Sequence, residues 1–319
     1  TFCADIFERK VTDILIPGGK DYPALIGDDN LPFENAGVLK TTGFELQAKW
    51  SDKLSNGFAY SVGVALSDDK AEVLSYPSNP TNKIGDGVLY KGYTVGDIWG
   101  YETGGILQES DFDGVGPNGK PLYHGAYFKG GQPYPGYVWY QDLDHDGVIT
   151  SGLSTVDDPG DKKVIGNNAP RYRYNITANF QYKGFDLDLM FQGVGKRDYW
   201  LKDVSSYWGG GAGSWETYNQ SWTPERTDAK FPMYGSGIGS YAQSGYLLDA
   251  SYIKLKQVIL GYTFPKALIG KVGLKKLRLN IAAYNLFTLS DVPKYYDSDY
   301  LSDAYPPKRT FSVGIQVGF

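Results

Sequence analysis

Nowhere in the 319 residues is there an apolar run approaching the ~20 residues that a membrane-spanning helix requires, and mean hydropathy is −0.36. A transmembrane helix is excluded. Cysteine is almost absent: Cys3 alone cannot close an internal disulfide and reads as a small apolar residue in a strand, so cysteine usage leaves the redox compartment open. Only two histidines occur, His124 and His145, both in one long acidic stretch. No Ser/His/Asp arrangement, Cys/His pair or phosphate-cradling motif accompanies them, and the glycine run Gly209–Gly213 precedes no helical pattern. The chain therefore reads as a non-enzyme without a required cofactor. Basic residues are not in excess, 31 against 36 acidic for a net charge of −5, and they form no stripe. Nucleic acid is not an expected partner. The start, Thr1-Phe-Cys-Ala-Asp, shows neither an initiator Met nor a charged-then-apolar secretory signal. It reads as a mature exported protein or a piece of a longer chain.

What is abundant is glycine, at 41, and aromatic residues, with Tyr 27, Phe 15 and Trp 7. Many of the aromatics sit in segments of strict alternation. At the carboxy-terminus Phe311, Val313, Ile315, Val317 and Phe319 point one way and Thr310, Ser312, Gly314, Gln316 and Gly318 the other. The same two-sided pattern recurs at Phe44–Trp50, Phe58–Leu66, Tyr172–Tyr182 and Phe185–Gln192. Charged residues such as Arg173, Asp186 and Asp188 fall on the polar side, which requires water or protein there. Segments of about ten residues with one apolar and one polar face suit strands that cross a bilayer in a barrel, apolar side to lipid and polar side to the lumen. A soluble sandwich strand can alternate in the same way and is the competing reading.

Further strands are expected over 248–264, with a bulge near Lys256 where the apolar phase changes, and over 274–288; weaker ones are expected at 3–14, 85–95 and 98–107. Short connections, 51–56, 183–184 and 265–273, contrast with long ones near 15–42, 68–84, 108–169, 197–247 and 289–307. Short turns on one side and long loops on the other fit an outer-membrane barrel with its long loops extracellular. Splitting 85–107 into two strands gives an expected total of about ten, with Phe319 at the periplasmic rim.

Sequence motifs add a family resemblance. Ser221-Trp-Thr-Pro-Glu-Arg-Thr-Asp-Ala-Lys-Phe-Pro232 and Leu248-Asp-Ala-Ser-Tyr-Ile-Lys-Leu-Lys-Gln-Val-Ile-Leu-Gly-Tyr-Thr-Phe-Pro265 resemble the carboxy-terminal barrel half of SusC-like TonB-dependent transporters of Bacteroidota. Asn35-Ala-Gly-Val38, Thr42-Gly-Phe-Glu45, Gly184-Phe-Asp, Phe191-Gln-Gly193, Tyr284-Asn-Leu-Phe287 and Tyr305-Pro-Pro-Lys-Arg follow in that family's order. The resemblance implies an all-β transmembrane antiparallel barrel of about 22 strands, of which residues 1–319 form the carboxy-terminal portion. It implies that the plug domain and the amino-terminal strands lie outside this chain. It further implies import of a glycan or oligopeptide, energy from TonB-ExbB-ExbD through the missing amino-terminal part, a SusD-like surface lipoprotein and an outer-membrane location. A SusC-like barrel serving as a non-transporting scaffold is the alternative, followed by a soluble calcium-stabilised β-sandwich adhesin.

Two candidate sites stand out. Asp142, Asp144 and Asp146, with Gly147 and the carbonyl of Val148, have the spacing of a calcium loop, but Leu153 occupies the position where a closing acid is expected. Asp157, Asp158 or Asp161 could supply it, and Asp161 completes the candidate set; a bare Asp-rich turn is the alternative. In 197–247, aromatic residues surround the glycine run, and Trp208 and Trp215, nearest to it, are the candidates for ligand or lid contact. Loop-on-loop packing, or a place in an interfacial girdle, is the alternative for these rings.

Overall fold

The computed structural model describes residues 1–18, 32–200, 218–236, 241–293, 296–301 and 307–319. Eight long strands form one antiparallel sheet: β1 (Phe2–Pro17), β2 (Phe33–Lys53), β3 (Ala59–Ser75), β10 (Arg171–Tyr182), β11 (Phe185–Lys196), β14 (Tyr252–Thr263), β15 (Lys276–Ser290) and β16 (Thr310–Gly318). They lie in that spatial order, each paired with its neighbour in the series. β16 pairs with β15 and not with β1, so the sheet is open at both edges. The fold is the all-β, curved wall expected of part of a large barrel.

Register fixes what each face presents. One cross-sheet row runs Phe2, Ala48, Val64, Ile176, Phe191, Leu255, Phe287. The adjacent row, one residue away, runs Cys3, Gln47, Ala65, Asn175, Gln192, Lys254, Thr288. The first row is wholly apolar and the second mainly polar, and a slip of one residue in any strand would exchange them. Cys3 thus faces the polar side. On the apolar side Phe311, Val313 and Ile315 are 68%, 76% and 68% exposed. A soluble sandwich would bury this face against a second sheet; among the described residues nothing covers it, as expected of a face turned to lipid.

The number of strands corrects the expectation of about ten. Residues 85–107 do not cross the membrane. Instead β4 (Asp97–Tyr101) and β5 (Thr103–Ile106) are short strands within a single connection, 76–170. Gly87, Gly92 and Gly96 all have positive φ and turn the chain repeatedly, while Tyr90 and Tyr93 pack with Val73 and Ile84 in a local core. Their apolar spacing comes from packing inside a loop. With eight strands the connections alternate long and short without any split, and both 1 and Phe319 stay on the short-turn side. The bulge is where the phase change places it: Met190 pairs with Gln257 and Phe191 with Leu255, so Lys256 is skipped. Opposite it, Asn285 adopts φ 54° and β15 slips in step.

A ring girdle marks the short-turn end of the apolar face. Phe58 contacts Phe180 and Tyr182 at 6.2 and 6.3 Å between centroids, and Tyr262 contacts Phe185 and Phe264 at 4.4 and 4.9 Å. Such belts sit at membrane–water interfaces, where amphipathic rings are most stable. At the opposite end the long connections build a packed body. β6 (Tyr127–Phe128) runs parallel to β8 (Val148–Ile149), β7 (Val138–Tyr140) pairs with β5, β9 (Lys162–Asn167) with β4, and β12 (Asp198–Trp200) with β13 (Leu247–Asp249). Fully buried Leu107, Val138, Tyr140 and Ile149 lie here. The sheet has lipid on one side and lumen on the other, so most of the buried apolar residues are in the loops.

Candidate functional site

Ion pairs and charge-assisted hydrogen bonds link strands of the sheet. Arg278 on β15 binds Asp186 on β11, Arg171 and Arg173 on β10 bind Asp68 and Asp69 on β3, and Asn179 donates to Asp188. Near the loop end a cavity of about 560 Å³ is lined by Glu45, Arg173, Asn175, Gln192, Arg197 and Tyr252, a polar mouth to the lumen. Over it fold residues 296–301 of the last long connection. Asp297 and Asp299 grip the buried ammonium of Lys254 at 2.9 and 2.7 Å, and Arg197 donates to the Asp299 carbonyl at 3.2 Å. Burial raises the Asp299 carboxyl, but hydrogen bonds from Lys254 and Tyr252 outweigh it and hold the group below the usual carboxylate range.

A second cavity, about 660 Å³, lies among the loops and is lined by Trp99, Tyr101, Lys162, Tyr199, Trp200 and Tyr241. The Lys162 ammonium sits 5.6 Å from the Tyr101 ring centre, and burial pulls its pKa down. Burial likewise pushes the Tyr101 hydroxyl up to about 12 and Tyr140 well above its ordinary value. Rings with flanking amine and amide groups suit stacking on a sugar or an aromatic side chain.

Trp208 and Trp215 lie outside the described residues. Of their neighbours, Trp200 and Trp222 pack loop on loop: both are buried, and the Trp222 indole donates to Gln108 at 3.0 Å. Tyr218, Tyr234 and Tyr241 are exposed. Gln243, fully buried, ties the two long loops together by donating to the Tyr140 hydroxyl at 3.0 Å and accepting from Thr103 at 3.1 Å. No motif announces Gln243 or the Lys254 clasp. The one sequence signal was Lys254 on the lumen phase, with Asp297 and Asp299 two residues apart in the last long loop.

In the Asp-rich loop the structure brings carboxylate oxygens of Asp142, Asp144 and Asp146 within 4.8 Å of one another. Asp142 accepts from the His145 and Gly147 N–H groups at 2.7 and 2.9 Å, and Asp146 from Val148 at 2.8 Å. Loss of solvation raises the Asp142 carboxyl, but those N–H groups outweigh it and the net shift is downward. The Asp146 N–H holds Asp144 down, yet desolvation and the charges of Asp161 and Asp146 prevail and push it up. Asp161 is fully buried, and its two oxygens accept from the Leu143 and Thr150 N–H groups, each at 2.7 Å. It braces the loop from behind, outside the group of three.

No protein-family profile matches the chain. Over 99% of its length it is 26% identical to TonB-dependent receptor P3 of Formosa agariphila, and over 91% it is 24% identical to TonB-dependent receptor P26 of the same organism. The chain is similar in sequence to TonB-dependent receptors. It spans about a third of their length, 32% and 30%. In fold it is similar over its whole length to the RagAB peptide transporter, TM-score 0.68 at 18% identity, and to the RagAB peptide importer in its open-open state, TM-score 0.68 at 20% identity. It covers 33% and 32% of those chains. The open eight-stranded sheet thus corresponds in fold to about a third of those chains.

Proposed function

We propose that this chain is the carboxy-terminal part of a TonB-dependent importer that moves a glycan or oligopeptide across the outer membrane beneath a SusD-like lipoprotein lid. The observation that carries the reading is the division of the sheet into an unbroken apolar row and a polar, ion-paired row, topped by loops that hold an aromatic cavity. A wet inner wall with a stacking site at its mouth is suited to a polar substrate passing inward. The plug, the remaining strands and the contact with TonB-ExbB-ExbD belong to the rest of the receptor. Deleting the gene, or only its TonB-contacting segment, should abolish growth on one class of glycan or peptide, and the receptor should co-purify with a lipoprotein. Normal growth on every nutrient, with stable co-purification of assembly proteins instead, would assign the scaffold role.

The Asp142–Val148 loop fits a structural calcium ion. Three crowded carboxylates, with the Val148 carbonyl next in the loop spacing, are hard oxygen donors, and a divalent cation would offset the desolvation and the neighbouring negative charges that together raise Asp144. Calcium at about 100 times its dissociation constant would stabilise the loop by about 2.7 kcal/mol. Calcium should slow proteolysis within 141–161, and Asp142→Asn should remove the response. A wild-type loop equally sensitive with calcium and with chelator would identify a bare turn.

A further inference from the structure

The charge of this chain is divided between its two ends. Connection 76–170 carries twelve acidic residues against six lysines, a net −6. The three short turns, with the two strand residues on either side of each, carry Lys53, Lys183, Lys266, Lys271, Lys275 and Lys276 against Asp52 and Asp186, a net +4, although the whole chain is −5. All six lysines are exposed, and none has a carboxylate partner among the described residues. The turns join β2 to β3, β10 to β11 and β14 to β15, six strands that are contiguous in the sheet. At about 4.8 Å between strands they form one cationic arc roughly 24 Å long.

This arc lies immediately beyond the ring girdle at the same end. Lys183 makes the link directly, its ammonium 5.0 Å from the centre of the Tyr182 ring. Rings that sit at the interface place the lysines just past it at headgroup depth. We propose that the periplasmic rim of this sheet binds the phosphates of anionic phospholipids in the inner leaflet. None of five cavities among the described residues is lined by any of these lysines. They are separate, flexible ammonium groups spread along a curved edge, which matches a fluid row of phosphates better than one rigid ligand. The acidic loops at the other end cannot compete for such lipids, so the same asymmetry favours one orientation in the bilayer. The proposal rests on the outer-membrane barrel reading.

The test uses the complete receptor in vesicles of phosphatidylcholine with roughly a third phosphatidylglycerol, the composition in which a surface charge acts on nearby lysines. Spin-labelled phosphatidylglycerol should associate with the protein several-fold more than spin-labelled phosphatidylcholine. The preference should shrink in half-molar salt and vanish when the six lysines are replaced by Gln. Replacing Lys83, Lys91, Lys120 and Lys129 by Gln should leave it intact. If the sixfold variant does not assemble, the triple variant Lys266→Gln, Lys271→Gln, Lys275→Gln should lose about half. Equal association of both lipids in the wild type, or a preference that survives the sixfold change, overturns the proposal. So does retention on purified peptidoglycan that depends on the six lysines without any lipid preference. Failure to insert, with no heat-modifiable migration, would instead count against the barrel itself.

Discussion

Replacing Lys254 by Met should release connection 291–309 from the mouth of the lumen while leaving the barrel wall intact. Lys254 stands on β14 just above the Lys256 bulge, 3% exposed, with both oxygens of Asp297 at 2.9 Å and one of Asp299 at 2.7 Å. Met has similar length and keeps the packing, so what is lost is the charge. Two carboxylates then face each other without their bonded counter-ion, with Arg197 and Lys256 acting on Asp299 only through space, and breaking a buried pair from one side costs about 3–5 kcal/mol. The carboxylates are 16% and 20% exposed, which places the expected cost at the lower end of that range. Amide hydrogen exchange at Asp299 and Leu301, whose N–H groups bond to Asp297 in the docked loop, should accelerate roughly a hundredfold or more. The pH dependence should change sign. In the wild type the Asp299 carboxyl is held low, so the clasp is complete above the unfolded value of about 3.9 and weakens as pH falls through the folded one. In the Met variant, acid relieves the repulsion and the loop should dock better as pH falls. Adding Asp297→Asn and Asp299→Asn should restore most of the protection at neutral pH. Unchanged exchange in Lys254→Met would show that the apolar contacts of Ala250, Val292 and Leu301 hold the loop by themselves.

The wall and the loops differ in how far they could be read from sequence, and the reason is physical. A strand between lipid and water must alternate at every position, so Phe185–Gln192 and Phe311–Phe319 carried their face assignment in plain view. Even the bulge was legible, because Ile253 and Leu255 fall out of phase with Val258, Leu260 and Tyr262, and an extra residue is the local repair. The loops obey no period. Tyr90 and Tyr93 look like strand residues yet bury against Val73 and Ile84, residues brought to them by glycine turns. Gln243 meets Thr103 and Tyr140 across more than a hundred residues, and the Lys254 clasp spans more than forty. Pairings of that kind are set by tertiary closure and leave no local trace. The Asp-rich loop falls between: its turn was legible from Asp142 to Gly147, whereas nothing local announced that the Asp161 oxygens meet the backbone N–H groups of Leu143 and Thr150.

Asp161→Ala should therefore unravel the Asp-rich loop whether or not calcium is present. The carboxylate is fully buried and meets two backbone N–H groups, of Leu143 and Thr150, while its own N–H donates to the Thr150 carbonyl at 3.1 Å. Removing it leaves both donors buried without a partner, and each orphaned group costs about 1–3 kcal/mol. Their neighbours transmit the loss, since Ile149 packs with Tyr101, Val138 and Tyr140, and β8 pairs with β6 through Val148 and Ile149. Asp161→Asn is the sharper probe. An amide of the same size offers one oxygen and turns its NH₂ toward the second donor, so it should lose about half of what Ala loses while removing the charge completely. Proteolysis within 141–161 should accelerate in the order wild type, Asn, Ala, in chelator as well as in calcium. Were Asp161 chiefly a metal ligand, Asn and Ala would match the wild type in chelator and differ only with calcium. The brace predicts the reverse weighting: chelated wild type stays folded, because two N–H bonds at 2.7 Å hold the loop closed behind the three carboxylates.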